Sequence, residues 1–272
     1  MKILALKIDV DSHRGYREGV PSLLELFDRR NIIASFFFSM GPDKLPGFWS
    51  RLRGETFPTI ISSAPGIIRD ADRRGHDCGI HAWNPLEWRR DLDRLPVTTL
   101  EAILRKAVKN FIERTGHAPH GSAAPGWCVS DMSLRIQDEL SLEYGSDTLG
   151  FYPFIPKMGR KVFSTPQIPT TLPPLEQVRK QHPTLKTEQL ASTMIESLQS
   201  GLNVLSLRAE NEGIAQLELM EKILECCKSN EVRVLDLLSV SKTLPKKTLP
   251  VSEIDFHSTG HFRHEIAVQG KD

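Results

Sequence analysis

The chain has 272 residues, of which 39% are hydrophobic and 25% are charged, and its formal net charge is +1. These proportions are typical of a globular protein and exclude wholesale disorder. A near-neutral charge argues against a nucleic-acid partner, because neutralising a phosphate backbone requires a concentrated basic surface. The length suits a single α/β barrel, a class that often reaches this size without dividing into domains.

The first apolar run reaches Asp9 within a few residues, which indicates a strand rather than a secretion signal. No stretch approaches the ~20 apolar residues of a membrane-spanning helix. The four cysteines lack C-x-x-C spacing, so neither a zinc knuckle nor a disulfide framework is implied. A reducing cytoplasm is the simplest expectation.

Strands and helices are predicted to alternate along the chain. An apolar run at 3–9 ends in a carboxylate, as a strand buried on both faces would. An apolar stripe at helical spacing then predicts a helix ending at Asn31, and 32–38 predicts a second strand. Further helices and strands are predicted at 66–74, from Thr98 to Gly116, and at 187–200, 202–208, 214–228 and 232–237. Five or more such units without a linker favour one barrel-like α/β fold. For the helix that ends at Gly116, Thr98 and Glu101 predict a capping box.

Three segments interrupt this alternation. The segment 41–66 mixes aromatic, aliphatic and basic residues, so it either packs over the barrel as a loop or lies on a membrane surface. The segment 149–174 contains six prolines and predicts a long ordered crossover near the barrel mouth. The segment 241–272 carries His257, His261 and His264 and is predicted to be a solvated polar tail rather than a metal site. The predicted barrel therefore spans 1–240.

Two carboxylates, Asp9 and Asp11, end the first predicted strand. Residues two apart on an extended strand point to the same face, and the carboxyl ends of barrel strands form the mouth where active sites lie. One carboxylate can bind a cation while the other takes a proton from water. The alternative is a helix-capping or salt-bridged pair, with Arg14 or Arg17 as the partner.

Other polar residues end or follow apolar runs in the same way. His81 follows the run CGI, which favours a metal-ligand role over a structural one. By the same rule we expect Ser122, Asp147 and Glu210 to gather at the mouth with Asp9.

A series of segments resembles the polysaccharide deacetylase, or NodB-homology, family: KIDVDSHRGYREGVPSLLELF, SFFFSMGPD, GHDCGIHAWNPLEW, SAAPGW, YGSDTLG, TPQIPTTLP and RAENEG. Within the family, the chain is most similar to the deformylases of lipid A modification, which remove formate from a formamido sugar linked to undecaprenyl phosphate. The resemblance implies a distorted (β/α) barrel and a divalent metal, most often zinc. It also implies that Asp9 is the catalytic base and that Asp11 and His81 are metal ligands.

The sequence departs from the family pattern at two functional positions. Where the family has its second metal-binding histidine the chain has Pro85, which has no side-chain donor atom. Where a late strand supplies a general-acid histidine the chain has Arg208, whose guanidinium does not release a proton near neutral pH. Arg208 can still stabilise an oxyanion. Asn84 stands where Asp is commoner among the deformylases, and 41–66 is shorter than theirs.

His13 is the predicted substitute metal ligand. It continues the strand face of Asp9 and Asp11 if the strand runs on by two residues, and otherwise it points to solvent. Glu87 and Glu210 are further candidates.

Two functions remain open. The first is a metal-dependent hydrolase that removes a formyl or acetyl group from an N-acylated sugar, free or lipid-linked, in the cytoplasm or at the inner face of the membrane. Its base is Asp9, Arg208 acts at the oxyanion, and the predicted substrate-binding residues are Ser122, Gly126, Trp127, Asp147 and Glu210, with the backbone of 122–126 helping to hold the oxyanion. The second is a degenerate relative that binds carbohydrate or acts as a scaffold without hydrolysing it.

Overall fold

A computed structural model describes residues 1–45, 56–258 and 264–270. The strands of this part of the chain are β1 (Lys2–Val10), β2 (Ser35–Phe38), β3 (Asp77–Ile80), β4 (Gly121–Ser122), β5 (Tyr144–Gly145), β6 (Ile155–Met158), β7 (Lys161–Val162), β8 (Gly201–Arg208), β9 (Arg233–Leu235), β10 (Val251–Ser258) and β11 (Glu265–Gln269). The helices are α1 (Val20–Arg30), α2 (Ile67–Arg73), α3 (Pro85–Asp91), α4 (Val97–Thr115), α5 (Asp131–Glu139), α6 (Leu175–Gln181), α7 (Thr187–Ser197), α8 (Leu217–Ser229) and α9 (Leu237–Thr243).

A parallel sheet forms the centre of the molecule. Its strands lie in the order β5-β4-β3-β2-β1-β8, and β9 pairs with the amino-terminal half of β1. Leu4, Leu6 and Ile8 of β1 are fully buried, as expected of a strand covered on both faces. Parallel strands place all their carboxyl ends at one edge, so residues ending β1, β3 and β8 meet there. The half-barrel sheet and its surrounding helices confirm the predicted single-domain α/β barrel fold.

The proline-rich crossover closes the gap between β5 and β8. The amide of Ile168 donates to the carbonyl of Gly145 at 2.8 Å, and the amide of Leu172 donates to the carbonyl of Val204 in β8 at 3.1 Å. Prolines within this segment cannot donate ladder hydrogen bonds, which explains why it bridges the two strands without forming a regular strand itself. The barrel is distorted at this point.

The segment predicted to be a polar tail instead contains strands β10 and β11. They pair antiparallel with each other, and β10 pairs in parallel with β6, giving a second sheet in the order β11-β10-β6-β7. Ile254 and Ala267 are buried in a cluster with Phe154 and Phe163. Apolar residues on one face of each strand therefore anchor the part of 241–272 that the structure describes, and this corrects the prediction of a solvated tail.

The carboxyl ends of α1 and α4 agree with the sequence prediction, but the predicted amino-terminal cap of α4 does not. Asn31 ends α1 with a left-handed φ of 53°. Gly116 ends α4 in the same way, with a φ of 86°. The predicted capping box of Thr98 and Glu101 is wrong, because α4 begins at Val97 after Pro96 and no side chain caps it.

Two glycines allow the ends of β1 and β8 to approach. Gly19 ends the π-helical turn Gly15–Gly19, and Gly213 lies in a second π-helical turn, Asn211–Ala215. A Cβ at Gly19 would overlap the carbonyl of Ala209, and one at Gly213 would overlap the carbonyl of Gly19. The two turns therefore pack backbone against backbone beside the strand ends.

Part of 41–66 packs on the barrel as a loop. Ile60 and Ile61 are buried in the main core cluster. Residues 46–55, which include Phe48 and Trp49 of the alternative membrane-surface interpretation, lie outside the described residues. No helix in the described part of the chain is long and apolar enough to cross a bilayer.

Candidate functional site

The carboxyl ends of β1 and β3 bring Asp9, Asp11 and His81 together. The Nδ1 atom of His81 lies 3.9 Å from Oδ1 of Asp9, and its Nε2 atom lies 3.3 Å from Oδ1 of Asp11. The His81 side chain is 1% exposed, against 13% for Asp9 and 10% for Asp11. The two carboxylates thus face the cavity described below, with the imidazole behind them.

Asp9 is held between a cation and a hydroxyl. Nζ of Lys7 lies 3.9 Å from Oδ1 of Asp9, and the Ser206 hydroxyl donates to Oδ2 at 3.2 Å. The Oδ1 atom is buried and has no hydrogen-bond partner among the described residues. Lys7 is fully buried and donates to the carbonyl of Ser146 at 2.8 Å. A fixed positive charge therefore stands beside the carboxylate predicted to be the base.

Asp11 receives donors on both oxygens. The Ser39 hydroxyl donates to Oδ1 at 2.9 Å, and Nη1 of Arg89 donates to Oδ2 at 3.3 Å. Burial acts to raise the pKa of Asp11, but the charges of His81 and Arg89 and the hydrogen bonds of His81 and Ser39 outweigh burial and hold that pKa well below its usual range. Asp11 is accordingly ionised near neutral pH.

At His81, burial and neighbouring charges each shift the pKa in the direction opposite to their effect at Asp11. Burial acts to lower its pKa, but the negative charges of Asp11 and Asp9 outweigh burial and raise the pKa above its ordinary value. Behind the ring, His81, Ser122 and Asp147 line a void of about 10 Å³, close to the smallest volume that can hold one water molecule. Ser122 and Asp147 therefore line a separate void with His81 and do not line the cavity that the two carboxylates face.

The carboxylates open into a cavity of about 460 Å³. One wall comes from helix α6 and the residue before it, through Pro174, Glu176, Gln177, Lys180 and Gln181. The remaining lining comes from strand ends and loops: Asp9, Asp11, His81, Arg89, Gly126, Trp127, Ser206, Arg208, Asn211 and Glu212. This volume and mixed lining are typical of a small-molecule site.

The structure places four of the predicted site residues away from the cavity wall. Ser122 and Asp147 line the void behind His81, and Asp147 Oδ2 accepts from the side-chain amides of Gln137 and Gln167, each at 2.9 Å. Glu210 turns toward Gly15, where an added Cβ would lie 3.1 Å from its Oε2. The ring of His13 contacts Ser63 and Asp43 instead of the Asp11 and His81 pair. The strand ends at Val10, which explains why His13 does not continue its face.

Comparisons with known proteins show the family of the chain. The chain is 31% identical over 263 residues to the probable 4-deoxy-4-formamido-L-arabinose-phosphoundecaprenol deformylase ArnD of Shewanella sediminis, which covers 87% of the chain and 85% of the relative. The relative of the same name in Wigglesworthia glossinidia brevipalpis is 24% identical over 284 residues, 90% of the chain and 94% of the relative. The chain belongs to the ArnD deformylase family. Its named relatives are hydrolases of carbon–nitrogen amide bonds. No protein-family profile matches the chain.

Solved structures show the polysaccharide deacetylase fold. A polysaccharide deacetylase from Pseudomonas aeruginosa superposes with a TM-score of 0.65 at 17% identity, covering 88% of the chain and 89% of that structure. One from Mycobacterium smegmatis gives 0.64 at 18% identity, covering 91% and 92%. A CE4 family pseudoenzyme from Bacillus anthracis gives 0.56 at 14% identity, covering 89% of the chain and 66% of that structure.

The deacetylases are generally metal-dependent, but the donor set of this chain does not fit a catalytic zinc site. Such sites draw three protein ligands. Asp11 and His81 provide two, and Pro85, at the family's third ligand position, opens helix α3. Among residues 1–45, 56–258 and 264–270, no group of three or more His, Cys, Asp or Glu side chains could hold a metal ion.

Sequence reasoning missed three charged residues of the site. Lys7 interrupts the apolar run of β1 on the face of Asp9, and a charge at such a buried position was a usable signal. Arg89 lies four residues after Pro85, one helical turn along the same face. Glu212 had no sequence signal, because its burial depends on the π-helical turn after β8: it accepts from the Arg208 amide at 2.6 Å.

Proposed function

We propose that this chain hydrolyses the formyl or acetyl amide of an N-acylated amino sugar. The observation that carries the proposal is the Asp9 carboxylate, which lines the cavity and is held by Lys7 and Ser206. Asp9 takes a proton from the water that attacks the amide carbon and returns it to the nitrogen as the C–N bond breaks, which releases formate or acetate and the free amino sugar. The cationic side chains of Arg89 and Arg208, which line the same cavity, stabilise the developing oxyanion. Zinc, which the family resemblance implied, has no part in this scheme because the donor set does not fit it.

A phosphate-linked polyprenyl sugar is the proposed substrate class. A groove of about 720 Å³ shares Arg89 and Arg208 with the cavity. Its lining adds the basic side chains Arg90 and Arg94 and the apolar side chains Leu45, Leu86, Leu92, Val129 and Phe256. Arginine suits a phosphate, because its planar fork matches the oxygens, and the apolar side chains suit a lipid. On this proposal the enzyme works on the cytoplasmic face of a membrane.

Release of formate and acetate from a panel of substrates tests the activity. The panel contains formamido and acetamido sugars, each free and as a polyprenyl phosphate ester. We expect the wild type to release formate from the phosphate ester, with Asp9→Asn as the inactive control. If the wild type releases neither acid from any member, the proposed activity is wrong.

A variant in the groove tests the substrate class. Arg94→Gln removes one basic side chain from the groove without touching the cavity. It should raise KM for the phosphate ester and leave the free sugar unaffected. Equal effects on both substrates would contradict the assignment of the groove.

The second candidate is a catalytically degenerate binding protein. It is favoured by Pro85 and Arg208, which together remove one expected metal ligand and the expected general acid. The two accounts predict opposite effects on the hydrolysis rate when histidine replaces Arg208, alone in the first case and together with Pro85→His in the second. In an active enzyme, Arg208→His should lower the rate, because a fixed positive charge is lost. In a decayed hydrolase the double variant Pro85→His/Arg208→His should create activity that the wild type lacks.

A further inference from the structure

The Asp11 carboxylate is contacted by a guanidinium on the side of the site where the family's missing ligand would stand. We propose that Arg89, and not a divalent metal, supplies the positive charge beside Asp11. Nη1 of Arg89 lies 3.3 Å from Oδ2 of Asp11, and the two side chains are 21% and 10% exposed. The charge pair is thus largely shielded from water.

The start of helix α3 explains how Arg89 can take the place of a metal ion beside Asp11. Asn84 caps the helix by accepting from the amides of Leu86 and Glu87, each at 3.0 Å, and Pro85 follows in the first turn. The helix therefore starts at the position where the family has a ligand, and that position offers no donor. Arg89 lies one turn further along the same face, and its longer side chain reaches back to Asp11.

Gly126 makes room for the arginine. A Cβ at this position would lie 2.8 Å from Cδ of Arg89, so a side chain there would displace the stem of the arginine. Gly126 also has a left-handed φ of 65°, which glycine adopts without strain. Gly126 belongs to the segment SAAPGW, which resembles a family motif. In this chain it forms one side of the space that the Arg89 side chain occupies.

The contacts of Asp11 leave little scope for a metal ion. Ser39 and His81 lie against its Oδ1 atom and Arg89 against its Oδ2 atom. A divalent cation would have to displace the guanidinium or bind beside its charge, with only two protein ligands. Arg89 offers several N–H donors in one plane but cannot make bound water more acidic as a metal does. Within the proposed hydrolysis, on which this step rests, proton removal therefore falls to Asp9 alone, and Arg89 acts by binding the substrate oxygen.

Zinc binding tests the proposal without requiring turnover. Elemental analysis and calorimetric titration with zinc would compare wild type, Arg89→Ala, Pro85→His and Pro85→His/Arg89→Ala. We expect no stoichiometric zinc in the wild type. The double variant should bind one zinc at least ~10-fold more tightly than Pro85→His alone, since removing the guanidinium relieves repulsion at a three-ligand site.

Two controls separate a specific effect from a general one. Pro85→His/Arg90→Ala removes the neighbouring arginine, which pairs with Asp91 and not with Asp11, and it should bind zinc no better than Pro85→His. Thermal unfolding of each variant checks the fold, and Arg89→Ala alone, which keeps Pro85 at the start of α3, should bind zinc more tightly than wild type. One tightly held zinc per wild-type chain, or equal affinities with and without Arg89, would overturn the proposal.

An activity measurement then distinguishes this inference from the proposed function. Formate release by the wild type should be unaffected by a chelator, and Arg89→Lys should retain more activity than Arg89→Ala. Activity that a chelator abolishes and zinc restores would refute the role of Arg89 while supporting hydrolysis. Absence of release from every substrate would refute the hydrolysis, and the zinc titration would still decide the role of Arg89.

Discussion

Two sides of the cavity carry different kinds of charge. The strand side is formed by the ends of β1 and β3, and the helix side is formed by α3 together with the last residue of β8. On the strand side, two carboxylates and an imidazole, those of Asp9, Asp11 and His81, lie at or just beyond the ends of β1 and β3. On the other side, Arg89 and Arg208 bring positively charged side chains to the cavity lining. The difference indicates that proton removal depends on the ends of β1 and β3, while charge stabilisation depends on α3 and the end of the neighbouring strand β8.

The largest expected effect lies on the strand side. Asp9→Asn keeps the shape of the side chain but removes the proton acceptor, so we expect kcat to fall by about 10²–10⁴-fold. Formate release under saturating substrate measures it. Asp70→Asn, on the surface of α2 beside Arg74, is the matched control and should have no effect. A loss of less than ~10-fold in Asp9→Asn would assign the base elsewhere.

The second effect concerns the cation beneath Asp9. Lys7→Met preserves the length of the side chain but leaves the Asp9 carboxylate without its buried partner, so the free energy of unfolding should fall by about 3 kcal/mol. Urea denaturation near neutral pH measures the loss. Lys2→Met in the same strand removes only one hydrogen bond, to the carbonyl of Ile195, and should cost about 1 kcal/mol. Similar losses in the two variants would show that Lys7 does not stabilise the site.

The helix side should respond more weakly, because Arg208 is exposed. If it stabilises the oxyanion as proposed, Arg208→Gln should lower kcat by about 10-fold, less than a shielded donor would cost. The same assay, with Arg233→Gln at the start of β9 as the matched control, measures the effect. An unchanged kcat would show that Arg208 does not stabilise the oxyanion, and Arg89 would then be the cationic side chain that does.

The sequence predicted the strand side well because it depends on local rules. Apolar runs ending in polar residues located β1 and β3, and parallel pairing then brought Asp9, Asp11 and His81 together. The same rule failed for Ser122 and Asp147. These residues do end or follow strands, but both are buried and line the small void with His81 instead of the cavity.

The helix side was less predictable because it depends on packing between distant segments. The contact of Arg89 with Asp11 joins residues 78 apart in sequence, and it requires the space left by Gly126. The strands β10 and β11 were missed for a similar reason. Their buried residues alternate with exposed ones in a polar segment, and only pairing with β6 makes the pattern stable.

The last expected effect is a pH dependence of stability that arises from Glu212. Burial raises the pKa of its carboxyl to about 7 from an ordinary value of 4.5, although the hydrogen bond from the Arg208 amide opposes that rise. Below 4.5 the group is protonated in both the folded and the unfolded chain. Between 4.5 and about 7 the unfolded chain loses the proton first, so the folded state loses stability as the pH rises through this window. Above it, the folded chain carries a buried charge.

Glu212→Gln should remove this loss, because the glutamine oxygen can still accept from the Arg208 amide but the side chain no longer ionises. The measurement is the difference in unfolding free energy between about pH 5 and about pH 8. The difference should be smaller in Glu212→Gln than in the wild type. Glu218→Gln, on the exposed face of α8, should keep the wild-type difference. If Glu212→Gln also keeps it, some other buried group on this side of the cavity controls the response, and the site's charge does not depend on Glu212.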